Sequence, residues 1–443
     1  MAAVRSRRKL STTPGSFRVR KKRSFFSTTA LTAVAPQPTK ANELFKEPQP
    51  VSVFLPTTID LGWYQPWLHG QLTNISHAVL QLQVGKETLL EGNAFEKVFA
   101  AVAQFARDNE GISIDDLIED LRRTQGMEES HECLKAQRLL VFAILGWQSM
   151  LYRPTFNTCS LEELAVLEYD SQSNSGLVFD KTKVSVDLAD RPLFAILKGF
   201  GNLLPSPPPN ITQVASENSK SAATWLPLDP SETNAHLLMA LLHVRIRWVD
   251  CLALHLDYNK SSRTLSLFSY PSFCVAMLQS KGTIFSFAST EKRSFDPRAS
   301  EEDISQFMRE VLLSFRLLFG QHGPSRKLFP HTYRPADPSQ NLDQLLPILC
   351  MKKSVQQPSV SLSLPADQPV YFAAQHFPVL SERIELVAKE LKNSRPASMR
   401  ELLHDRRDKL QYWTFWLISI IGGISVLLSL IQVILQAIQL ARG

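Results

Sequence analysis

Cysteine is scarce, odd in number and unpaired in spacing. The five cysteines are Cys133, Cys159, Cys251, Cys274 and Cys350, and no CxxC pair occurs. A small secreted scaffold shows closely paired cysteines, so that class is excluded. Scattered thiols suit a reducing compartment, each acting as a small buried hydrophobe. Catalytic signatures are missing as well. No GxSxG is present. His131–Glu132 opens like a zinc-protease helix, but Lys135 stands where the second histidine is required. Gly85–Lys86 precedes Glu87 rather than Ser or Thr, and Leu80 takes the place of the leading glycine of a P-loop. Gly199–Phe200–Gly201 lacks a third glycine and follows a helical pattern, so it is no dinucleotide fingerprint. His236 and His243 are seven apart on an apolar helix pattern, and His255 falls in a strand pattern. Each reads as a buried, satisfied histidine rather than a metal ligand. The expectation is therefore no catalytic residue, no cofactor and no metal, in a chain closer to a binding protein than to an enzyme.

Acidic residues are absent from positions 1–42, which carry ten basic side chains. The net charge of +6 hides this split, because the rest of the chain has 38 basic against 42 acidic residues. The arm holds Arg7, Arg8 and Lys9, then Arg18, Arg20, Lys21, Lys22 and Arg23, among many Ser and Thr. Too few aliphatics are present to offset the entropy of ordering, so residues 1–50 are expected to be a disordered basic arm. Its uses compete: a bipartite nuclear import signal, a mitochondrial presequence, contact with anionic lipid helped by Phe25 and Phe26, or a solvated tail. Contact with nucleic acid has only short basic clusters and one Phe pair behind it, which disfavours it. Phosphorylation of Ser11 or Ser24 would subtract charge from the arm.

Charge of either sign is absent from Gln411 to Ala441. The most apolar part, WTFWLISIIGGISVLLSLIQVIL at 413–435, is long enough for a hydrocarbon core of about 30 Å. Residues 412–441 are thus expected to be one transmembrane helix. Tyr412, Trp413 and Trp416 form an aromatic belt at its first end, just after Arg400, Arg406, Arg407 and Lys409. The positive-inside bias places the large body in the cytosol. With only Gly443 after Arg442, insertion after synthesis is expected, as for tail-anchored proteins. Gly422, Ser425, Ser429, Gln432, Gln436 and Gln439 are spaced 3, 4, 3, 4, 3, a stripe on one helix face. Two readings compete: lateral pairing with itself or another span, or glutamines that reach the far interface. Residues 396–411 read as a stem helix whose charges suit a wet surface.

Between arm and stem, the patterns give an α+β, mainly helical cytosolic domain with one or two β-hairpins. Residues 51–204 are a helical α+β region. Phe95, Val98, Phe99, Val102 and Phe105 share a helical face within 91–110. Ser113 starts a helix with Asp115 and Asp116 in its first turn, where the helix dipole favours acids. A longer helix covers 130–151. Ser160 and Glu163 look like a capping box. Leu177–Asp180 and Lys183–Leu188 bracket a turn, with Val184, Val186 and Leu188 alternating as in a strand. Asp190 and Pro192 start a helix that Gly199 and Gly201 end. Residues 205–232, with PSPPPN, are a Pro/Ser-rich linker or long loop. Residues 233–395 form a second α+β region packed with the first. It has a helix at 234–245, a hairpin turning at Asn259–Ser262, a helix capped by Ser300, Pro-rich loops at 323–340 and 353–369, and a helix at 381–391.

DRRDKLQYWTFWLISIIGGISVLLSLIQVILQAIQ at 405–439 resembles the C-terminal tail of a group of uncharacterised filamentous-fungal proteins. WVDCLALHLDYN, LSLFSYPSFC and ISQFMREVLLSFRLLFGQ resemble blocks of the same group. The resemblance covers most of 90–440. It implies a single-span tail and one contiguous cytosolic domain, and adds no catalytic residue. The first reading is a tail-anchored scaffold or adaptor whose partners are the bilayer, a protein ligand, and a second copy through the span. The alternatives are a membrane-tethered enzyme without a local motif and an inner-nuclear-membrane protein touching nucleic acid. The expected membrane is the endoplasmic reticulum, nuclear envelope or secretory pathway, with mitochondria as the alternative. The sequons at Asn74, Asn210 and Asn259 would escape glycosylation in a cytosolic body.

Overall fold

The computed structural model describes residues 61–442, apart from 90, 92, 110, 157–160, 168–177, 179, 202, 204–225, 280–300, 334–341, 353–365 and 395–408. The basic arm, Asn210, the Ser300 cap, the Leu177 strand and most of the stem, linker and second Pro-rich loop lie outside the described residues.

The N-terminal half is helical because its apolar residues recur at helical spacing. Helix α1 (Tyr64–Leu72) is followed by the short hairpin β1 (Gln83–Val84) and β2 (Glu87–Thr88). Gly85 turns that hairpin at φ +65, a left-handed value that glycine adopts without a Cβ clash. Helix α2 (Ala94–Asp108) buries Phe95, Val98, Phe99 and Val102, while Phe105 is half-buried against the same core. Helix α3 (Ile114–Gln125) starts in a capping box. The Asp116 amide donates to Ser113 Oγ at 3.0 Å, and the Ser113 amide donates to the Asp116 carboxylate at 2.8 Å. Helix α4 (Leu134–Ser149) is the centre of this half: every residue from Leu139 to Ser149 is buried. A helix apolar all round belongs inside a core. The Tyr64 hydroxyl donates to the Trp147 carbonyl and the Gln148 amide to the Phe99 carbonyl, which ties α1 and α2 to it.

Strand β3 (Glu163–Ala165) pairs antiparallel with β4 (Lys183–Ser185), and helix α5 (Leu193–Phe200) follows. The capping box expected at 160–163 is therefore not a helix start. Leu164 is buried opposite Val184, and Glu163 pairs with Lys183 across the strands at 2.9 Å. The strand after Lys183 is also shorter than expected, because Val186–Asp190 turns into a 3-10 helix.

Strand β5 (Pro227–Leu228) pairs with a strand far along the chain (Tyr371–Phe372), so residues 226–232 are part of the body and not a free linker. Helix α6 (Ala235–Leu241), capped by Asn234, is shorter than the 234–245 expectation. Strand β6 (Arg245–Val249) begins at the last residue of that expectation and lies parallel to β8 (Thr264–Phe268). Strand β7 (Tyr258–Asn259) pairs antiparallel on the other edge of β8. Only this last pairing matches the expected hairpin. Leu252, Leu254 and Leu256 do alternate, but Cys251, Ala253 and His255 between them are buried too. With both sides covered, the segment needs no strand, and Leu252–Leu254 is a 3-10 turn. Leu256 then takes φ +59, and its amide donates to the Ser266 carbonyl at 2.9 Å. A left-handed leucine costs roughly 1–2 kcal/mol, offset by its complete burial.

Helix α7 (Pro271–Gln279) is followed by α8 (Glu301–Phe315), which widens into a π turn at Arg316–Gly320. Helix α9 (Gly323–Thr332) occupies the first expected Pro-rich loop. Pro324 sits in its first turn, where amide protons are unpaired anyway. Helix α10 (Leu345–Met351), strand β9 (the Tyr371–Phe372 partner of β5) and helix α11 (Ser381–Asn393) complete the body. One hydrophobic cluster runs from Leu61 to Leu391 and joins both regions. Polar ties cross it. The Trp63 indole donates to Ser272 Oγ at 2.8 Å, the Leu252 amide to the Met150 carbonyl at 2.7 Å, and Arg153 pairs with Asp250 at 3.3 Å. The class is α+β, mainly helical with few short strands. Helix α12 (Lys409–Arg442) ends the described chain.

Candidate membrane anchor and the buried charges

Helix α12 has 34 residues, and its stretch Trp413–Arg442 is long and apolar enough to cross a membrane. None of its most apolar stretch is buried against the body. Elsewhere among the described residues, the large apolar side chains that stand exposed are only Leu342 and Met351. The body thus covers its hydrophobes and α12 does not. At about 25 cal/mol per Å2 of apolar surface, a bare rod of this kind is far better placed in lipid than in water.

Tyr412, Trp413 and Trp416 lie in the first two turns of α12, and Phe415 and Trp416 meet edge to face at 6.0 Å. On one continuous helix, Gly422, Ser425, Ser429, Gln432, Gln436 and Gln439 fall within an arc of about 100°. A Cβ built on Gly422 meets nothing within 4 Å. Ser425 Oγ donates to the Ile421 carbonyl and Ser429 Oγ to the Ser425 carbonyl, both at 2.9 Å. The two hydroxyls are thus spent on their own helix, and the glutamine amides are the side-chain donors the stripe still offers. Arg7, Arg8, Lys9, Arg18, Arg20, Lys21, Lys22 and Arg23 lie outside the described residues.

Inside the body, sequence reading missed the buried charges. Arg316 lies in the π turn and forks onto Asp367, while its Nη1 donates to the carbonyls of Leu349 and Lys352 at 2.7 and 2.8 Å. Glu310, on α8, accepts the amides of Val379 and Leu380 at 3.0 and 2.7 Å, just ahead of α11. Arg383, on α11, donates to the carbonyls of Ala253 and His255 at 2.6 and 2.8 Å. Burial holds its guanidinium below the usual value. Asp343 accepts the Ser272 and Leu345 amides, each at 2.7 Å. Burial pushes its carboxyl up to about 6. A charge at a core-facing position of an otherwise apolar helix, as Arg316 is in LLSFRLLFG, was the signal available.

One pair has the outline of a nucleophile and its base. His255 Nε2 lies 2.7 Å from Ser314 Oγ, and both residues are completely buried. The hydrogen bonds assign other roles. The Phe268 amide donates to His255 Nδ1 at 3.1 Å, so the neutral ring carries its proton on Nε2 and donates it to Ser314. Ser314 Oγ in turn donates to the Val311 carbonyl at 2.7 Å. Burial, then the Arg383 charge, lowers the His255 pKa to about 3. The ring has no lone pair free to take the serine proton, so this is a packing device. His255 follows a 3-10 turn rather than sitting on a strand. Of the other histidines expected to be buried, His236 is half-buried and His243 is exposed, where the α6–β6 connection takes φ +53.

Among the described residues, no group of three or more His, Cys, Asp or Glu side chains converges as a metal site. Cys251, Cys274 and Cys350 are buried without a disulfide, and burial raises the Cys251 thiol to about 12. Cys133 is half-buried and also unpaired with another cysteine, and Cys159 lies outside the described residues. No protein-family model matches the chain. No curated protein and no solved structure matches it either.

Proposed function

We propose that this chain is a single-pass membrane protein that holds its α+β body on the cytosolic face as a scaffold for a protein partner. The observation behind the anchoring is the contrast between α12, exposed along its length, and a body that keeps its large apolar side chains inside. The basic residues before Tyr412 support the orientation. The scaffold role is supported by where the buried charges go: Arg316, Glu310, Arg383 and Asp343 all hold main-chain groups. Lateral pairing through the Gly422–Gln439 face belongs to the same proposal.

Alkaline carbonate washing of membranes carrying the full chain tests the anchor. The full chain is expected in the pellet and a 1–410 truncation in the wash. Release of the full chain overturns the proposal. Orientation is read at Asn74, which sits on an exposed turn after α1. It is expected to stay free of glycan, and a glycan there places the body on the other side. Proximity labelling from the N-terminus, compared with α12 fused to a reporter, tests the scaffold. Proteins marked only when residues 61–394 are present support it, and identical sets for both chains remove it.

A further inference from the structure

We propose that the body rests on the anionic cytosolic leaflet through a basic corner, built from the start of β6, the turn between β7 and β8, and the end of α11. This deepens the reading of α12 as a membrane span with a cytosolic body, and rests on it. Strand register brings the corner together. Arg245 lies opposite Thr264, and Thr264 opposite Asn259, so one end of the three-stranded sheet carries both Arg245 and the 259–263 turn. The Arg245 amide donates to the Arg263 carbonyl at 2.8 Å. Asn259 Oδ1 accepts the Ser261 and Ser262 amides at 2.8 and 3.1 Å, which fixes the turn, and Lys260 and Arg263 stand exposed on it. The end of α11 joins the turn through the ion pair of Glu390 with Lys260. Lys389 and Lys392 are exposed there.

Charge and connectivity point to the same partner. The cations of the corner are Arg245, Lys260, Arg263, Lys389 and Lys392, and the carboxylates paired with any of them are Glu385 and Glu390. Among the described residues, Arg245, Arg263 and Lys392 take part in no ion pair. Burial, then Glu390, raises the Tyr258 pKa, while Arg263 and Lys260 oppose the rise, so these charges gather near one phenol. The chain leaves the body at this corner. The Ser394 amide closes α11 on the Glu390 and Leu391 carbonyls, and Lys409 opens α12. Even fully extended, the chain from 394 to 409 reaches no further than about 50 Å. Such a tether makes docking intramolecular, at an effective concentration in the millimolar range. Each basic side chain near an anionic surface then favours the docked state about fivefold, so the three unpaired cations together favour it about a hundredfold.

The test is hydrogen exchange, read by mass spectrometry, of the full chain in vesicles of phosphatidylcholine alone and of phosphatidylcholine with phosphatidylserine. An anionic surface depletes hydroxide about three- to sevenfold beside it. The amides of 259–263 and 389–394 are therefore expected to exchange that much more slowly with phosphatidylserine present. The slowing is expected to vanish at about 0.5 M salt, where charges are screened within a few ångströms. Arg245→Glu combined with Arg263→Glu and Lys392→Glu changes only exposed side chains. This variant is expected to lose the slowing while keeping the wild-type melting temperature and carbonate resistance. Equal exchange in the two lipids, or slowing that survives the triple reversal, overturns the docking alone. Slowing by duplex RNA but not by phosphatidylserine overturns it in favour of a nucleic-acid face. Release of the full chain by carbonate overturns the spanning reading, and the docking falls with it.

Discussion

Arg316 and Asp367, 51 residues apart in the chain, meet in a fork: Nε donates to Oδ1 at 2.8 Å and Nη2 to Oδ2 at 2.6 Å. The arginine side chain is 2% exposed and the aspartate 28%. Removing one partner of a buried pair leaves an uncompensated charge, which costs about 3–5 kcal/mol. Arg316→Met is therefore expected to lower unfolding stability by that amount, read by urea titration of the detergent-solubilised full chain. Arg316→Lys should recover little, because a single ammonium cannot serve both carboxylate oxygens and two carbonyls. A loss below about 1 kcal/mol for Arg316→Met would show the fork to be dispensable.

Gly320 closes the π turn against this guanidinium. A Cβ there would lie 2.2 Å from Arg316 Nη1 and 2.4 Å from the Leu349 carbonyl oxygen. Because one obstacle is backbone, Gly320→Ala should destabilise by about 1–3 kcal/mol. Combined with Arg316→Met, the two losses should sum to less than their separate values, since they share a contact. Strict additivity in the double-mutant cycle would contradict the geometry.

Asp343 makes stability depend on pH with an unusual sign. Burial raises its folded pKa to about 6 from the ordinary aspartate value of 3.8. The folded state keeps the proton longer than the unfolded state does. Its contribution is present below about pH 4 and is lost as pH rises through about 6, roughly 2–3 kcal/mol in all. Other carboxylates slope the opposite way, so the readable quantity is a difference. The gap between wild type and Asp343→Asn in urea midpoint should change between pH 4 and 7 and level off above it. A pH-independent gap would refute the assignment.

The Ser113–Asp116 box should be worth about 1 kcal/mol, the usual cost of losing a serine cap. Ser113→Ala is expected to lower the melting temperature by a few degrees, and Ser113→Asp to restore most of it. Thermal unfolding monitored by circular dichroism decides.

Within the anchor, the two serines and the glutamine should behave differently. Ser425 and Ser429 already donate to their own helix, whereas the Gln432 amide has protons to offer a neighbour. If α12 pairs laterally, Gln432→Leu should reduce self-association in a membrane two-hybrid assay more than Ser425→Ala does. Equal or absent effects would remove the pairing.

The helices with clear spacing were readable beforehand. Phe95, Val98, Phe99 and Val102 marked α2, Ser113 marked the start of α3, and the uncharged run after Gln411 marked α12. Failures arose where tertiary surroundings replaced local pattern. Ser160–Glu163 had the form of a cap, yet Glu163 opens a strand that pairs with β4. Leu252–Leu256 alternated only because the residues between them are small or polar, while burial reaches them all. Pro324 and Pro330 looked like loop markers but stand in a helix that keeps its other bonds. The buried charges were hardest to foresee, because most of the main-chain groups they hold lie 33 to 130 residues away.

The same guanidinium that holds Asp367 also holds the Lys352 carbonyl. One cation thus clasps two positions of the chain, so the loss of a single side chain would release both at once. The entropy of closing such a clasp grows only logarithmically with the length of chain it closes, about 0.6 kcal/mol per doubling, so its strength hangs on the guanidinium and not on how many residues it encloses.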